Sequence, residues 1–270
     1  MTNLIRLFIP FLIFLMYCSP QAGQKESQEP ETETNTQWVS LFNGQNLDGW
    51  IIKIKGYEAG DNYGNTFWVE DGILKVSYDE YDSFDQTFGG LHTAKSYTNY
   101  RLKVEYRFVG ETAPGAPSWG FRDSGIQYHG QDPTSMAKDQ NFPICLEYNL
   151  HGGNGIDERA VGQICANGTQ VKLEGEYATD YCTPPQIERT LHGDQWVTAE
   201  IDVRGDTVSH WVNGEKILTF TEPRFNAEHE LGKTFIREGD TKLRSGHISL
   251  QSNSHPIEFR RIDIMEYLED

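Results

Sequence analysis

The sequence predicts an all-β protein: two antiparallel sheets packed as a sandwich or jelly roll over residues 38–270. Three observations point there. From Trp38 onward, short apolar or alternating runs are separated by Gly, Asn and Asp. No stretch carries the pattern of a long amphipathic helix. The composition, with 26 Gly and 12% aromatic residues, favours strands and tight turns. A chain of 270 residues can hold one large all-β domain or two small ones. With no internal repeat and no second linker, a single domain is expected.

The N-terminal segment stands apart from that domain. Residues 7–17, LFIPFLIFLMY, are an apolar run behind a start that carries Arg6. As a helix they are too short to cross a hydrocarbon core of about 30 Å, and they read as a signal peptide over residues 1–17. Cys18 follows, with Leu15 three residues before it. That spacing resembles a bacterial lipobox, in which the cysteine is lipidated and becomes the mature N-terminus. Residues 19–37, SPQAGQKESQEPETETNTQ, hold no large apolar side chain. Segment 18–37 is therefore expected to be a disordered tether. The expectation is an exported domain held at the bacterial cell envelope, touching membrane only through its N-terminal lipid.

Within the domain, strands are expected at 66–69, 73–76, 90–93, 101–108, 124–128, 144–149, 161–165, 196–203, 207–212, 215–220, 247–251 and 257–265. In 101–108, Leu102, Val104, Tyr106 and Phe108 point one way and Arg101, Lys103, Glu105 and Arg107 the other. Val197, Ala199, Ile201 and Val203 alternate likewise. Asp71-Gly72 and Asn213-Gly214 mark two hairpin turns. Three cysteines remain after Cys18. Cys165 and Cys182 flank a polar loop and could bridge in an exported protein. Cys145 lies in an apolar run and is expected to be buried. The formal charge of -17 repels polyanions, so nucleic acid is not an expected partner.

Seven blocks, in order, carry a resemblance. They are WVSLFNGQNLDGW (38–50), WVEDGILKV (68–76), GGLHTAKSYTNYRLKVEYRF (89–108), RDSGIQYHG (122–130), PICLEYNL (143–150), QWVTAEIDVRGDTVSHWVNGEKI (195–217) and GHISLQSNSHPIEFRRIDI (246–264). Together they resemble the 3-keto-disaccharide hydrolase family. Asp123 stands where that family usually has Asn, and Asn149 where it usually has Gln. The resemblance implies a concanavalin-like jelly roll and activity on 3-keto sugars, with carbohydrate as partner. A ketone at C3 acidifies the hydrogen at C2, so a base can remove it and expel the C1 oxygen, after which water adds.

Glu147 is the expected base. By alternation, Glu147 and Asn149 share the less apolar face of strand 144–149. A charge there is costly unless it is partnered or lines a cleft, so Glu147 is a general base or metal ligand, or else a structural carboxylate held by an arginine such as Arg122. The same alternation puts Gln127 and His129 on one face, with His129 as acid, base or ligand. His92 could join them. A Glu/His set could hold a divalent metal that polarises the ketone, although no HExxH-like spacing accompanies it. Gln251 could bind a sugar hydroxyl. Arg260 or Arg261 could hold Glu147 or cap a sheet edge. Trp119, Trp50 and Tyr128 could stack on sugar rings, with Trp119, after a Pro-rich loop, the foremost of them. Trp68 and Trp196 are expected in the core. Glu147, His129, Gln127, Asn149, Trp119, Gln251, His92 and Arg122 thus form the expected site. Two alternatives share these residues. A carbohydrate-binding module would not need Glu147, and a two-carboxylate glycosidase would need Asp123 or Asp157 within reach of it.

Overall fold

The computed structural model describes residues 37–267; the expected signal peptide, Cys18 and the expected tether as far as residue 36 lie outside them. The strands are β1 (Val39–Ser40), β2 (Trp50–Ile54), β3 (Phe67–Glu70), β4 (Ile73–Val76), β5 (Gly89–Thr93), β6 (Tyr100–Phe108), β7 (Asp123–Gly130), β8 (Cys145–His151) and β9 (Ile164–Asn167). They continue as β10 (Thr169–Leu173), β11 (Glu176–Tyr177), β12 (Cys182–Thr183), β13 (Val197–Arg204), β14 (Thr207–Val212), β15 (Glu215–Phe225), β16 (His247–Ser252) and β17 (Ile257–Glu266). Ten of them form one sheet, in the order β11-β10-β15-β14-β13-β6-β17-β4-β3, with β1 also on β17. Seven form the other, β12-β9-β8-β7-β16-β5-β2. The two-sheet antiparallel sandwich is the fold expected from the alternation.

Both expected hairpins close with two-residue turns. Glu70 pairs with Ile73 around Asp71-Gly72, and Val212 with Glu215 around Asn213-Gly214. All four turn residues have positive φ, 52°, 77°, 47° and 82°, the twist that matches right-handed strands. The core lies between the sheets. Tyr100, Leu102, Val104, Tyr106 and Phe108 of β6 meet Ile126, Tyr128, Leu146, Tyr148 and Leu150 of β7 and β8, all buried.

The outer face of the ten-stranded sheet corrects one expectation. Trp68 and Trp196 are half-buried there, not in the core. Lys75 lies over Trp68 at 4.8 Å, and Arg107 and Arg260 lie over Trp196 at 4.7 and 4.4 Å. Basic and tryptophan side chains share this face because each aliphatic stem or guanidinium plane covers an indole while its charge reaches a carboxylate.

Candidate active site

β7, β8 and β16 lie side by side in the seven-stranded sheet. Their register sets Gln127 opposite Glu147 and Gly125 opposite Asn149, with Ser249 opposite Gln127. The faces turned away from the core carry a polar patch. It floors a cavity of about 660 Å³ lined by Glu147, Asn149, Gln251, Asn253 and Asp123, with Trp119, Phe142 and Tyr181 as walls. That volume is ordinary for a small-molecule site. Another cavity, of about 520 Å³, lies between Trp68, Ser77, Thr112 and Pro256 and holds none of the expected site residues.

Glu147 is 6% exposed. Its Oε2 accepts from Gln127 Nε2 at 3.0 Å and from Gln251 Nε2 at 3.4 Å. Gln127 is itself fixed, accepting from Ser249 Oγ at 2.8 Å. Burial pushes the Glu147 carboxyl up to about 7, against the lowering effect of the Gln127 hydrogen bond, and the charge of Asp123 adds to the rise. The carboxyl rests over Gly125. A Cβ on Gly125 would lie 2.6 Å from Glu147 Cδ and 2.7 Å from Oε1, so the glycine of the DSGI segment makes the hollow that Glu147 occupies.

Asp123 stands at the other end of the floor. Its Oδ2 accepts from His151 Nε2 at 2.9 Å and from Arg159 Nη2 at 2.7 Å, and its Oδ1 accepts from Asn253 Nδ2 at 2.6 Å. His151 Nδ1 faces the Ala160 carbonyl at 3.0 Å. Arg159 also donates to the carbonyls of Trp119 at 3.0 Å, Arg122 at 3.1 Å and Phe121. It thereby ties the wall carrying Trp119 to Asp123. Trp119 is 49% exposed and stacks on Phe88 at 5.9 Å. Cys165 and Cys182 form a disulfide in the cavity wall that joins β9 to β12, next to Tyr181. Cys145 is free and buried.

Of the expected residues, Glu147, Gln127, Asn149, Gln251 and Trp119 come together. His129 does not. Between His247 and Ser249 the β7–β16 register slips, with Tyr128 and His129 standing against Ile248 alone, and His129 adopts φ 47°. This bulge breaks the alternation and turns His129 toward Tyr128 and Tyr100 of the core, 5.9 and 6.1 Å between rings. Burial there lowers its pKa to about 4. The Glu147–His129 pair that could have held a metal is therefore not assembled, and among the described residues no cluster of three or more His, Cys, Asp or Glu side chains is placed to hold a metal ion.

His92 shares the outward face, but farther along the sheet, on β5 opposite Ile51 and Ser249. It is buried outside the cavity lining, with its pKa lowered to about 3 by burial and by the nearby charges of His247 and Lys53. Arg122 turns away to the Gly193 carbonyl at 2.6 Å and to the Asp194 carboxylate, so it neither holds Glu147 nor lines the cavity. Arg260 pairs with Glu105 and Arg261 with Asp263 on the other sheet. Tyr128 is core, bonded to His210 Nε2 at 2.7 Å. Trp50 is half-buried, donating to the Leu41 carbonyl at 3.0 Å. Asp157 lies outside the main cavity.

The reading by residues missed His151, Arg159, Asn253 and Tyr181. Two of these were within reach of the pattern. Extending the period of two from Glu147 and Asn149 gives His151, and from Gln251 gives Asn253. Arg159 and Tyr181 come from irregular segments and carry no such signal.

Solved structures with the same architecture include a candidate glycosyl hydrolase from Parabacteroides distasonis, 20% identical, covering 86% of this chain and 94% of that one, with a TM-score of 0.51. A β-glucanase from Bacillus licheniformis is 13% identical over 87% and 98% of the two chains, TM-score 0.46. The carbohydrate-binding module CBM66 from Bacillus subtilis is 8% identical over 81% and 96%, TM-score 0.45. The first of these, at 20% identity, shows the fold alone, a jelly roll of two antiparallel sheets. A comparison with curated proteins gives no match. The family described as the 3-keto-alpha-glucoside-1,2-lyase-like domain matches residues 37–265, and the chain belongs to that family of carbohydrate-active domains.

Proposed function

We propose that this protein cleaves the glycosidic bond of 3-keto-disaccharides or related 3-keto-glycosides by elimination, with Glu147 as the base. One observation carries the reading. Among the described residues, five acidic side chains are buried: Asp123, Glu147, Glu200, Glu258 and Asp263. Four of them have cationic partners, respectively Arg159, Arg101 and Lys103, Arg107 and Lys75, and Arg261. Glu147 has none among the described residues, meets only amides, and faces the cavity. A buried acid kept for structure is normally paired. A carboxyl held near 7 without a counter-charge is suited to taking a proton at neutral pH.

In the proposed step the C2 proton of the 3-keto ring passes to Glu147. The C–H electrons form the double bond between C1 and C2, the C1–O bond breaks, and its electrons leave with the aglycone oxygen, which takes a proton from water. Water adds across the double bond afterwards. The Asp123 oxygens are taken by three donors, and its backbone lies four residues along β7 from the partner of Glu147, roughly 13 Å at about 3.3 Å per residue. These facts favour one free carboxylate over the two that direct glycoside hydrolysis needs. The domain would work at the bacterial cell envelope, lipid-anchored through Cys18. The Cys165–Cys182 disulfide supports an oxidising compartment.

The test is incubation of residues 19–270 with a 3-keto-disaccharide and with its unoxidised parent. Release of monosaccharide from the keto sugar alone, lost in Glu147→Gln, is expected. Binding without release would instead identify a carbohydrate-binding module. Cleavage of the parent sugar would point to two-carboxylate hydrolysis.

A further inference from the structure

We propose that the site continues past Trp119 into a second cavity that holds a further ring of the same glycan, on the leaving-group side. This rests on the carbohydrate reading above. The second cavity measures about 290 Å³ and is bounded by Ser118, Phe121, Asn154, Asp157, Trp119 and Arg159. Trp119 and Arg159 also line the main cavity, so the two spaces share one wall. The volume is at the small end of ligand sites, near about 300 Å³, which suits a single added ring rather than a long chain.

The lining has the chemistry that a sugar ring needs. Trp119 is 49% exposed and Phe121 38%, and aromatic planes of this kind accept the C–H face of a pyranose. Polar groups surround them in fixed positions. Asn154 Oδ1 accepts from the backbone N–H of Ile156 and Asp157 at 2.9 and 2.8 Å, while its Nδ2 donates to Asp157 Oδ2 at 2.7 Å. Asp157 Oδ1 has no partner among the described residues and is free to accept from a hydroxyl. The shared wall is braced before any ligand arrives. The bonds from Arg159 to the carbonyls of Trp119, Phe121 and Arg122, and to Asp123, join the two loops that form it. A wall already in place lowers the ordering cost of binding.

The experiment compares kcat/KM for glucose oligosaccharides of two, three and four rings carrying the 3-keto group on the non-reducing ring, in an α-1,4 and a β-1,4 series. In the series that is cleaved, three rings should exceed two by at least tenfold, with little further gain at four. Two variants address the second cavity: Phe121→Ala removes an aromatic face and Ser118→Trp fills the space. Each should bring the three-to-two ratio close to one. Equal kcat/KM at all lengths, or a ratio that survives both variants, would overturn the extension while leaving disaccharide cleavage in place. Failure to cleave any keto sugar of either series would remove the functional reading and the extension with it.

Discussion

Replacing Glu147 by glutamine should stabilise the protein at neutral pH, and the size of the effect can be worked from the site. The carboxyl is 6% exposed, accepts only from two amides and has no cation beside it. Burial therefore dominates, and its pKa rises from an ordinary 4.5 to about 7. Between those values the folded protein keeps a proton that the unfolded chain has released. Folding stability must then fall as pH rises through that window, and above 7 the whole cost is present. Each pKa unit is worth about 1.4 kcal/mol, so the cost is roughly 3 kcal/mol. Glutamine has nearly the same shape and does not ionise. Urea unfolding of both proteins across the window isolates the effect, because every other titrating group cancels in the difference. The variant should match wild type near pH 4.5 and be about 3 kcal/mol more stable at pH 8. Parallel curves would show that the carboxyl is not held as described, and the base assignment would lose its physical ground. The same titration sets the activity profile, with kcat/KM rising with pH through about 7 as the base form appears.

Two other predictions concern the architecture around that carboxyl. Gly125→Ala puts a methyl group 2.6 Å from Glu147 Cδ, forcing a shift of about 1 Å. Since misplacement of that size costs on the order of 10²-fold, kcat on a 3-keto-disaccharide should fall by about that factor with the melting temperature nearly unchanged, and full activity would mean that this hollow does not set the working position of the base. The Cys165→Ala/Cys182→Ala double variant opens a loop spanning a sequence separation of 17. It should lose about 3 kcal/mol of stability and raise KM as the Tyr181 wall loosens, whereas an unchanged KM would show that the wall stands without the bridge.

Regular strands were legible because burial writes itself into a period of two. The twelve expected strands correspond to β3 to β9 and β13 to β17, most within a residue or two at each end. The other strands carry weak signals: β1, β11 and β12 have two residues each, and β10 reads TQVKL. β2, WIIKI, is a plain apolar run in which Ile52 and Ile54 face the core while Lys53 is buried on the opposite side, donating to the Ile54 and Lys138 carbonyls at 3.1 and 3.0 Å. The site was legible as far as the alternation held. Glu147, Asn149 and Gln127 follow from it, and His129 fails because a single extra residue in β7 reverses which face it meets. A bulge leaves no mark in apolar spacing when the misplaced residue is itself amphipathic. The tryptophans fail for another reason. Trp68 and Trp196 are covered by cationic side chains instead of by a second sheet, and hydrophobicity alone does not distinguish the two kinds of cover.

The opposite behaviour of a paired buried acid makes the assignment of Glu147 sharper. Glu258 is also buried, but Arg107 donates to it at 2.8 Å and Lys75 Nζ lies 3.9 Å away. Glu258→Gln strands a cation over Trp196 and removes a strong acceptor, so it should cost stability at neutral pH. The cost of breaking a fully buried pair is about 3–5 kcal/mol. Arg107 is 33% exposed and water can take over part of its solvation, so about 1–2 kcal/mol is expected here. The same chemical change, carboxylate to amide, should therefore destabilise at 258 and stabilise at 147 when both variants are unfolded in urea at pH 8. A protein gains nothing in stability from an unpaired buried carboxylate, and keeping one on the floor of a cavity makes sense only if its proton affinity is used. If both variants lost stability alike, Glu147 would be a structural acid, and the search for the base would have to move elsewhere in the cavity.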